Sequence, residues 1–206
     1  DSMQSNLTVQ SRCQRRERTH ARIKSTLLRL MSEKSFEDIT VTELAQEAGI
    51  NRKTLYSHFD GMDAVLAEVE DDFVGQIFDL WLTGQPARNP RILEDFFRML
   101  GNELILNQQN MRLLILSGEH NRLLIKIKDR IIQLLIQNLD QTDPAFDREL
   151  FLYAAEFLSG GMMAVLEHWA ADPGEDSLIA ITELIQRNAE HIGEYLYRSA
   201  PLYLES

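Results

Sequence analysis

The chain has 206 residues, 44% hydrophobic and 26% charged, a globular composition long enough for one large domain or two small ones. Its formal charge of −11 argues against nucleic acid as a partner, its single cysteine excludes an internal disulfide or a cysteine-based metal cluster, and no run of about 18 uncharged apolar residues is present to span a membrane. The charge is unevenly distributed, however: residues 1–60 hold ten Lys/Arg against eight Asp/Glu, and the rest of the chain eleven against twenty-four, so the two parts have different electrostatic roles.

Asp1-Ser2 ahead of Met3 reads as a tag remnant, with Met3 as the natural start. The polar N-terminus has no apolar signal sequence. With one thiol, this fits a cytoplasmic protein outside the membrane. Residues 1–14 read as a flexible basic arm. From Arg12 to Lys24 there are six Lys/Arg and one Glu, Arg15 and Arg16 among them. Cys13 reads as a bystander thiol. Apolar spacing then predicts a helix from about Arg16 to Glu33, with Ile23, Leu27, Leu30 and Met31 on one face. Thr40-Val41-Thr42-Glu43 forms a capping box that opens a short helix, Val41 to Ala48. Gly49 supplies a left-handed turn, and Asn51 caps a third helix, Arg52 to His58.

Further helices are predicted from Met62 to Leu82, from the cap-proline pair Asn89-Pro90 to about Asn107, and near Asn110–Ser117 and Glu119–Asn138. Asp143-Pro144 opens one that ends near Ala170. Asp172-Pro173-Gly174 interrupts, and a last helix runs from Glu175 to Arg198. The fold class is all-α, with about nine helices and no sheet. Residues 15–60 form a small N-terminal domain and residues 61–206 a larger helical bundle.

Two short helices joined at a glycine over a supporting first helix form a helix–turn–helix. In that motif the second member enters the major groove of double-stranded DNA. This accounts for the crowding of Arg52, Lys53, Thr54, Tyr56 and His58. The cations suit phosphates or guanine edges, and the hydroxyl and imidazole donors suit phosphate oxygens. Leu55 and Phe59 face the other way as anchors.

The stretch "FEDITVTELAQEAGINRKTLYSHFDGMDAVL", Phe36 to Leu66, closely resembles the DNA-binding signature of the tetracycline-repressor (TetR) family of bacterial transcription regulators. The landmarks are Phe36, Ile39-Thr40-Val41, Leu44-Ala45, Ala48-Gly49, Thr54-Leu55-Tyr56, His58-Phe59 and Leu66. The resemblance implies an all-helical homodimer with a DNA-reading domain and a ligand-sensing domain. By matching position, Thr42, Arg52, Lys53, Thr54, Tyr56 and His58 would touch DNA. The capping Asn51, with Arg15 and Arg16 of the basic stretch Arg12 to Arg18 that continues the arm, completes the candidate set. The arm would either lie along the DNA backbone or enter the minor groove. One position departs from the pattern. Met62 stands where the family usually has a phosphate-binding lysine, flanked by Asp60 and Asp63.

In the larger part, "FLYAAEFLSGGMMAVLEHWAADP" is small and apolar nearly all round, so its helix must be covered on more than one side. Ser159, Gly160, Met162, Leu166 and Trp169, with Ile181, Ile185 and Ile192 of the last helix, are read as a two-fold dimer interface. "GGMMAVLEHWA" is weakly similar to the dihydroxyacetone-kinase-regulator-like subgroup. A pocket for an unknown small-molecule effector is expected among Phe73, Ile77, Trp81, Phe97, Met111, His120, Tyr153, Phe157 and Met163. No catalytic constellation, metal spacing, phosphate loop or cofactor signature is present. The reading is therefore a non-enzymatic, ligand-responsive regulator, a repressor binding a pseudo-palindromic operator. The alternative is a coactivator of the same fold that works through a protein partner without binding DNA itself.

Overall fold

The computed structural model of the chain describes residues 2–82, 92–117, 121–139, 148–174 and 177–198. Among them are nine α-helices and no strand: α1 (Ser2–Met31), α2 (Val41–Glu47), α3 (Arg52–Tyr56), α4 (Met62–Leu82), α5 (Ile92–Leu106), α6 (Gln108–Ser117), α7 (Arg122–Leu139), α8 (Arg148–Ala171) and α9 (Ser177–Arg198). A short 3₁₀ turn, Phe36–Asp38, stands between α1 and α2. Three residues are too few for apolar periodicity to announce it.

The helix start at Arg16 is corrected. α1 begins at Ser2, so the residues expected to form a non-helical arm continue the helix. The first glycine or proline of the chain is Gly49, and nothing upstream breaks a helical backbone. The sequence reading began the helix where apolar residues start to recur, which marks the start of packing rather than of the helix. The cap-proline pairs Asn89-Pro90 and Asp143-Pro144 lie outside the described residues.

The chain divides into two compact units, Asp1–Asp72 and Phe73–Ser206. The division falls within α4, later than the expected boundary after residue 60. Val65, Leu66 and Val69 of α4 are buried, and they belong to the first unit with Ile23, Leu27, Leu30, Leu44, Ala45, Leu55 and Phe59. Each large aliphatic or aromatic side chain so covered contributes about 1.5–3 kcal/mol.

In the second unit α5 packs on α9, and α8 packs on α6, α7 and α9. Phe78, Phe96, Phe97 and Phe151 are fully buried. Phe96 meets Phe78 at 6.0 Å between ring centroids and stands edge-on to Phe97 at 5.4 Å. The α5–α9 approach is close at Gly101, where a Cβ would lie 3.0 Å from Thr182 Cβ. α8 is long and apolar enough to cross a membrane by length and composition. One of its stripes, including Phe151, Ala155, Leu158, Met162 and Leu166, is buried in this unit.

Candidate nucleic-acid interface

The turn between α2 and α3 is fixed at both ends. Thr40 Oγ1 accepts the backbone N–H of Glu43 at 3.2 Å and opens α2. The Glu43 carboxylate takes Lys34 Nζ at 2.6 and 2.7 Å. That ammonium, more than the Thr40 backbone N–H, holds its carboxyl below the usual range. At the far end Ile50 N–H reaches Ala45 O at 2.9 Å and Gly49 N–H reaches Gln46 O at 3.0 Å. This is a Schellman motif, and Gly49 sits at φ +64° in its left-handed position. Asn51 Oδ1 then accepts the Thr54 backbone N–H at 2.8 Å and the Thr54 hydroxyl at 3.1 Å, capping α3.

With its ends set, α3 presents two different sides. Arg52, Lys53 and Tyr56 are exposed, Tyr56 at 48%. Leu55 and Phe59 are buried beneath. Thr54 and His58 are half-buried, and with Asn51 they line a cleft whose other wall is α1. The crowded turn is thus an outward set of three and a cleft-facing set of three. Asn51 Oδ1 is taken up by Thr54, which leaves the Asn51 NH₂ as that side chain's remaining donor. Thr42 is exposed in the first turn of α2.

The cleft has a volume of about 1160 Å³ and is lined from α1 by Arg15, Arg16, Arg18, Thr19 and Arg22. Of these, Thr19 and Arg22 lie beyond the stretch expected from sequence to meet DNA, Arg12 to Arg18. The signal was available, since 15, 18/19 and 22 recur at helical spacing, but only on a helix that starts before Arg16. His20 stacks on Phe59, with centroids 4.2 Å apart, and lies 5.4 Å from His58. His58 Nδ1 is buried and makes no hydrogen bond among the described residues. Burial first, then the nearby His20 and Arg16, pull the His58 pKa below its ordinary value.

The cations of this unit fall into two groups. Lys24 pairs with Glu68 and Asp72, Arg29 with Glu33 and Glu47, and Lys34 with Glu43. Arg15, Arg16, Arg18, Arg22, Arg52 and Lys53 make no ion pair among the described residues. The unpaired cations lie on the cleft and on the outward side of α3. A cation left unneutralised by its own chain is available to an external anion. The Cys13 thiol lies 3.5 Å from Glu17, and that carboxylate raises its pKa more than the nearby Arg16 lowers it.

In the second unit the expected pocket and interface residues are placed differently. Phe73, Ile77, Phe97 and Met111 are buried, and Met163 is half-buried. Tyr153 and Phe157 are on the outer surface of α8, 64% and 71% exposed. This corrects their reading as pocket-lining residues. His120 and the side chain of Trp81 lie outside the described residues. Ser159, Met162, Leu166 and Trp169 are buried within the chain itself, with Ile185 at the margin, so they are not open to a second copy. Gly160, Ile181 and Ile192 are half-buried. The reason is helical phase. α8 has two apolar stripes, and the sequence does not say which of them its own chain covers.

The class defined by this frame is a helix–turn–helix protein, all-helical among the described residues. Residues 23–69 match the family described as bacterial regulatory proteins, tetR family. The chain is 35% identical over 89 residues to the HTH-type transcriptional regulator EthR of Mycolicibacterium smegmatis, an alignment covering 40% of this chain and 41% of that protein. A TetR transcriptional regulator from Streptococcus agalactiae matches the fold with a TM-score of 0.62 at 16% identity, over 88% of this chain and 98% of that one. The dihydroxyacetone kinase operon activator DhaS matches with a TM-score of 0.62 at 12% identity, over 89% and 98%. Residues 23–69 thus carry the helix–turn–helix region of that family. The chain spans about two-fifths of the length of the curated relative it matches.

Proposed function

We propose that the protein is a ligand-responsive transcription regulator that binds a pseudo-palindromic operator as a homodimer and represses the genes it covers. The observation that carries this reading is the outward side of α3. Arg52, Lys53 and Tyr56 are exposed, the two cations have no partner among the described residues, and a capped, Schellman-closed turn fixes their direction. The similarity to EthR, a transcriptional regulator, supports the same class. Two copies would set two α3 helices roughly 34–36 Å apart, in successive major grooves.

The exposed stripe of α8, with Tyr153, Phe157, Gly161 and Ala164, is the face a second copy would cover. A Cβ at Gly160 or Gly161 would meet nothing of the chain itself, so a partner helix has room to approach. An effector would be held near the aromatic core around Phe73, Ile77, Phe97 and Met111. It would act through α4, the continuous helix that passes from the first unit into the second. Such a ligand shifts the equilibrium only by its differential affinity for the two states. The protein would work in the cytoplasm and carry out no chemistry.

A mobility-shift titration against the DNA upstream of its own gene, at low salt, tests the reading. A shifted band that resists random competitor is expected, and absence of any specific complex would reject it. One observation favours a second reading, a coactivator acting through a protein partner. Met62 opens α4 half-buried, with Asp60 and Asp63 exposed beside it, and offers no cation to a phosphate. Capture of a DNA-bound protein with no intrinsic DNA affinity would favour that reading.

A further inference from the structure

We propose that the cleft between α1 and the α2–α3 turn seats one sugar-phosphate strand of the duplex, so that α1 grips the DNA backbone from outside while α3 occupies the major groove. The inference rests on the DNA-binding reading above and assigns a second, separate contact surface within it.

The cleft's chemistry is that of a phosphate track. Arg15, Arg16, Arg18 and Arg22 line one wall, and none makes an ion pair among the described residues. Thr19 adds a hydroxyl, although its hydrogen bond runs to Arg15 O at 3.0 Å. The opposite wall adds Gln46, Asn51, Thr54 and the backbone at Gly49 and Ile50. At about 1160 Å³, the cleft exceeds the roughly 300–1,000 Å³ of small-molecule sites, and its arginine wall is unlike their mostly apolar linings.

Size also decides how the basic stretch of α1 meets DNA. A helix with its side chains is about 10–12 Å across, and the minor groove is about 6 Å wide. Because Arg15 to Arg22 lie within a continuous helix, this segment does not enter the minor groove as an extended arm. It can lie against the backbone. Arg15 and Arg22 are separated by about 10 Å of helix rise, so the wall presents its guanidiniums at more than one level along a strand. Arg15, Arg18 and Arg22 fall on one face by their spacing.

The test is the salt dependence of binding by the full chain to a fluorescent random-sequence duplex, measured by anisotropy. Each phosphate neutralised contributes about 0.9 to the slope of log Kd against log salt. The triple variant Arg15→Ala, Arg18→Ala, Arg22→Ala is expected to lose about 2–3 from that slope and at least about tenfold in affinity near 0.1 M salt. Arg29→Ala removes an equal charge per residue from the paired side and should leave the slope unchanged. Lys53→Ala should lower it by about 1. Far-ultraviolet circular dichroism checks that the variants remain helical. An unchanged slope in the triple variant, with the Lys53→Ala loss intact, overturns the cleft proposal and leaves DNA binding by α3 standing. Wild-type protein with no salt-dependent DNA affinity overturns both.

Discussion

His20 of α1 lies flat on Phe59, the two rings 4.2 Å apart and 6° from parallel, and this stack forms one side of the site that holds His58. His20 is itself 3.4 Å from Glu68 of α4, so three elements meet around one imidazole pair. The groups facing His58 are Arg16 and His20 from α1, with the Glu68 carboxylate one step further away. Phe59 supplies an apolar wall. That environment favours a neutral His58.

The first prediction is a pH dependence of both stability and DNA affinity. In the unfolded chain His58 takes its proton near the ordinary imidazole pKa of about 6.5, and in the folded chain only at lower pH, chiefly because burial disfavours the charge. Between those values the unfolded state binds more protons, so stability falls as pH drops through that window. His58→Gln should flatten this part of a urea-midpoint curve. DNA acts oppositely. A phosphate in the cleft offsets Arg16 and His20 and raises the His58 pKa, so binding takes up a proton. Affinity should rise from pH 8 towards pH 6 in wild type, and less so in His58→Gln. A wild-type anisotropy curve that weakens on acidification would contradict the assignment.

The second prediction concerns Gly49. Its φ is +64°, and a Cβ there would meet no neighbour, so any cost of substitution comes from the backbone alone. Gly49→Ala is expected to cost about 1–2 kcal/mol in urea unfolding, and Gly49→Asn less, because asparagine tolerates the left-handed region. Equal losses for both would point to packing and not to the turn. Asn51→Ala should cost about 1 kcal/mol, since it removes the oxygen that caps α3.

These local features are also what the sequence makes plain. Thr40, Gly49 and Asn51 act through bonds to residues three to five positions away, so their roles can be read from spacing. The outward and inward sides of α3 are legible too, because Leu55 and Phe59 are apolar and their neighbours are not. The cleft is less legible. It needs Arg18 and Arg22 to face across to Thr54 and His58, a tertiary relationship between α1 and α3. The faces of α8 are the least legible. Met162 and Phe157 are equally apolar, and only the packing of α6, α7 and α9 decides that one is buried and the other exposed.

The third prediction isolates the second unit. Gly101 lets α5 and α9 approach until a Cβ would stand 3.0 Å from Thr182 Cβ, an atom fixed to its own backbone. Gly101→Val must push the helices apart, and overpacking of this kind costs about 1–3 kcal/mol. Thermal unfolding should show the double variant Gly101→Val, Thr182→Gly less destabilised than the sum of its two single variants, because Thr182→Gly removes the clashing Cβ itself. Additive losses would mean the cost arises from valine in a helix and not from the α5–α9 contact.

The last prediction concerns assembly. Phe157 is 71% exposed and Tyr153, one helical turn earlier, is 64% exposed, while Leu184 of α9 is 55% exposed. Phe157 and Tyr153, one turn apart on α8, make an exposed apolar stripe that is costly to leave in water. The glycines beside Phe157 have no contact of their own to satisfy. If a second copy covers this face, Phe157→Glu places a charge against an apolar partner twice over, once in each copy. Sedimentation equilibrium should then show wild type at twice the 23.8 kDa chain mass and the variant at the single-chain value. Met162→Val changes the buried stripe instead, and it should lower stability while leaving the mass doubled. The monomeric variant keeps every residue of α3 and of the cleft. It should therefore bind a half-site weakly and lose the gain that comes from linking two half-sites. A dimer that survives Phe157→Glu would move the interface off this face of α8.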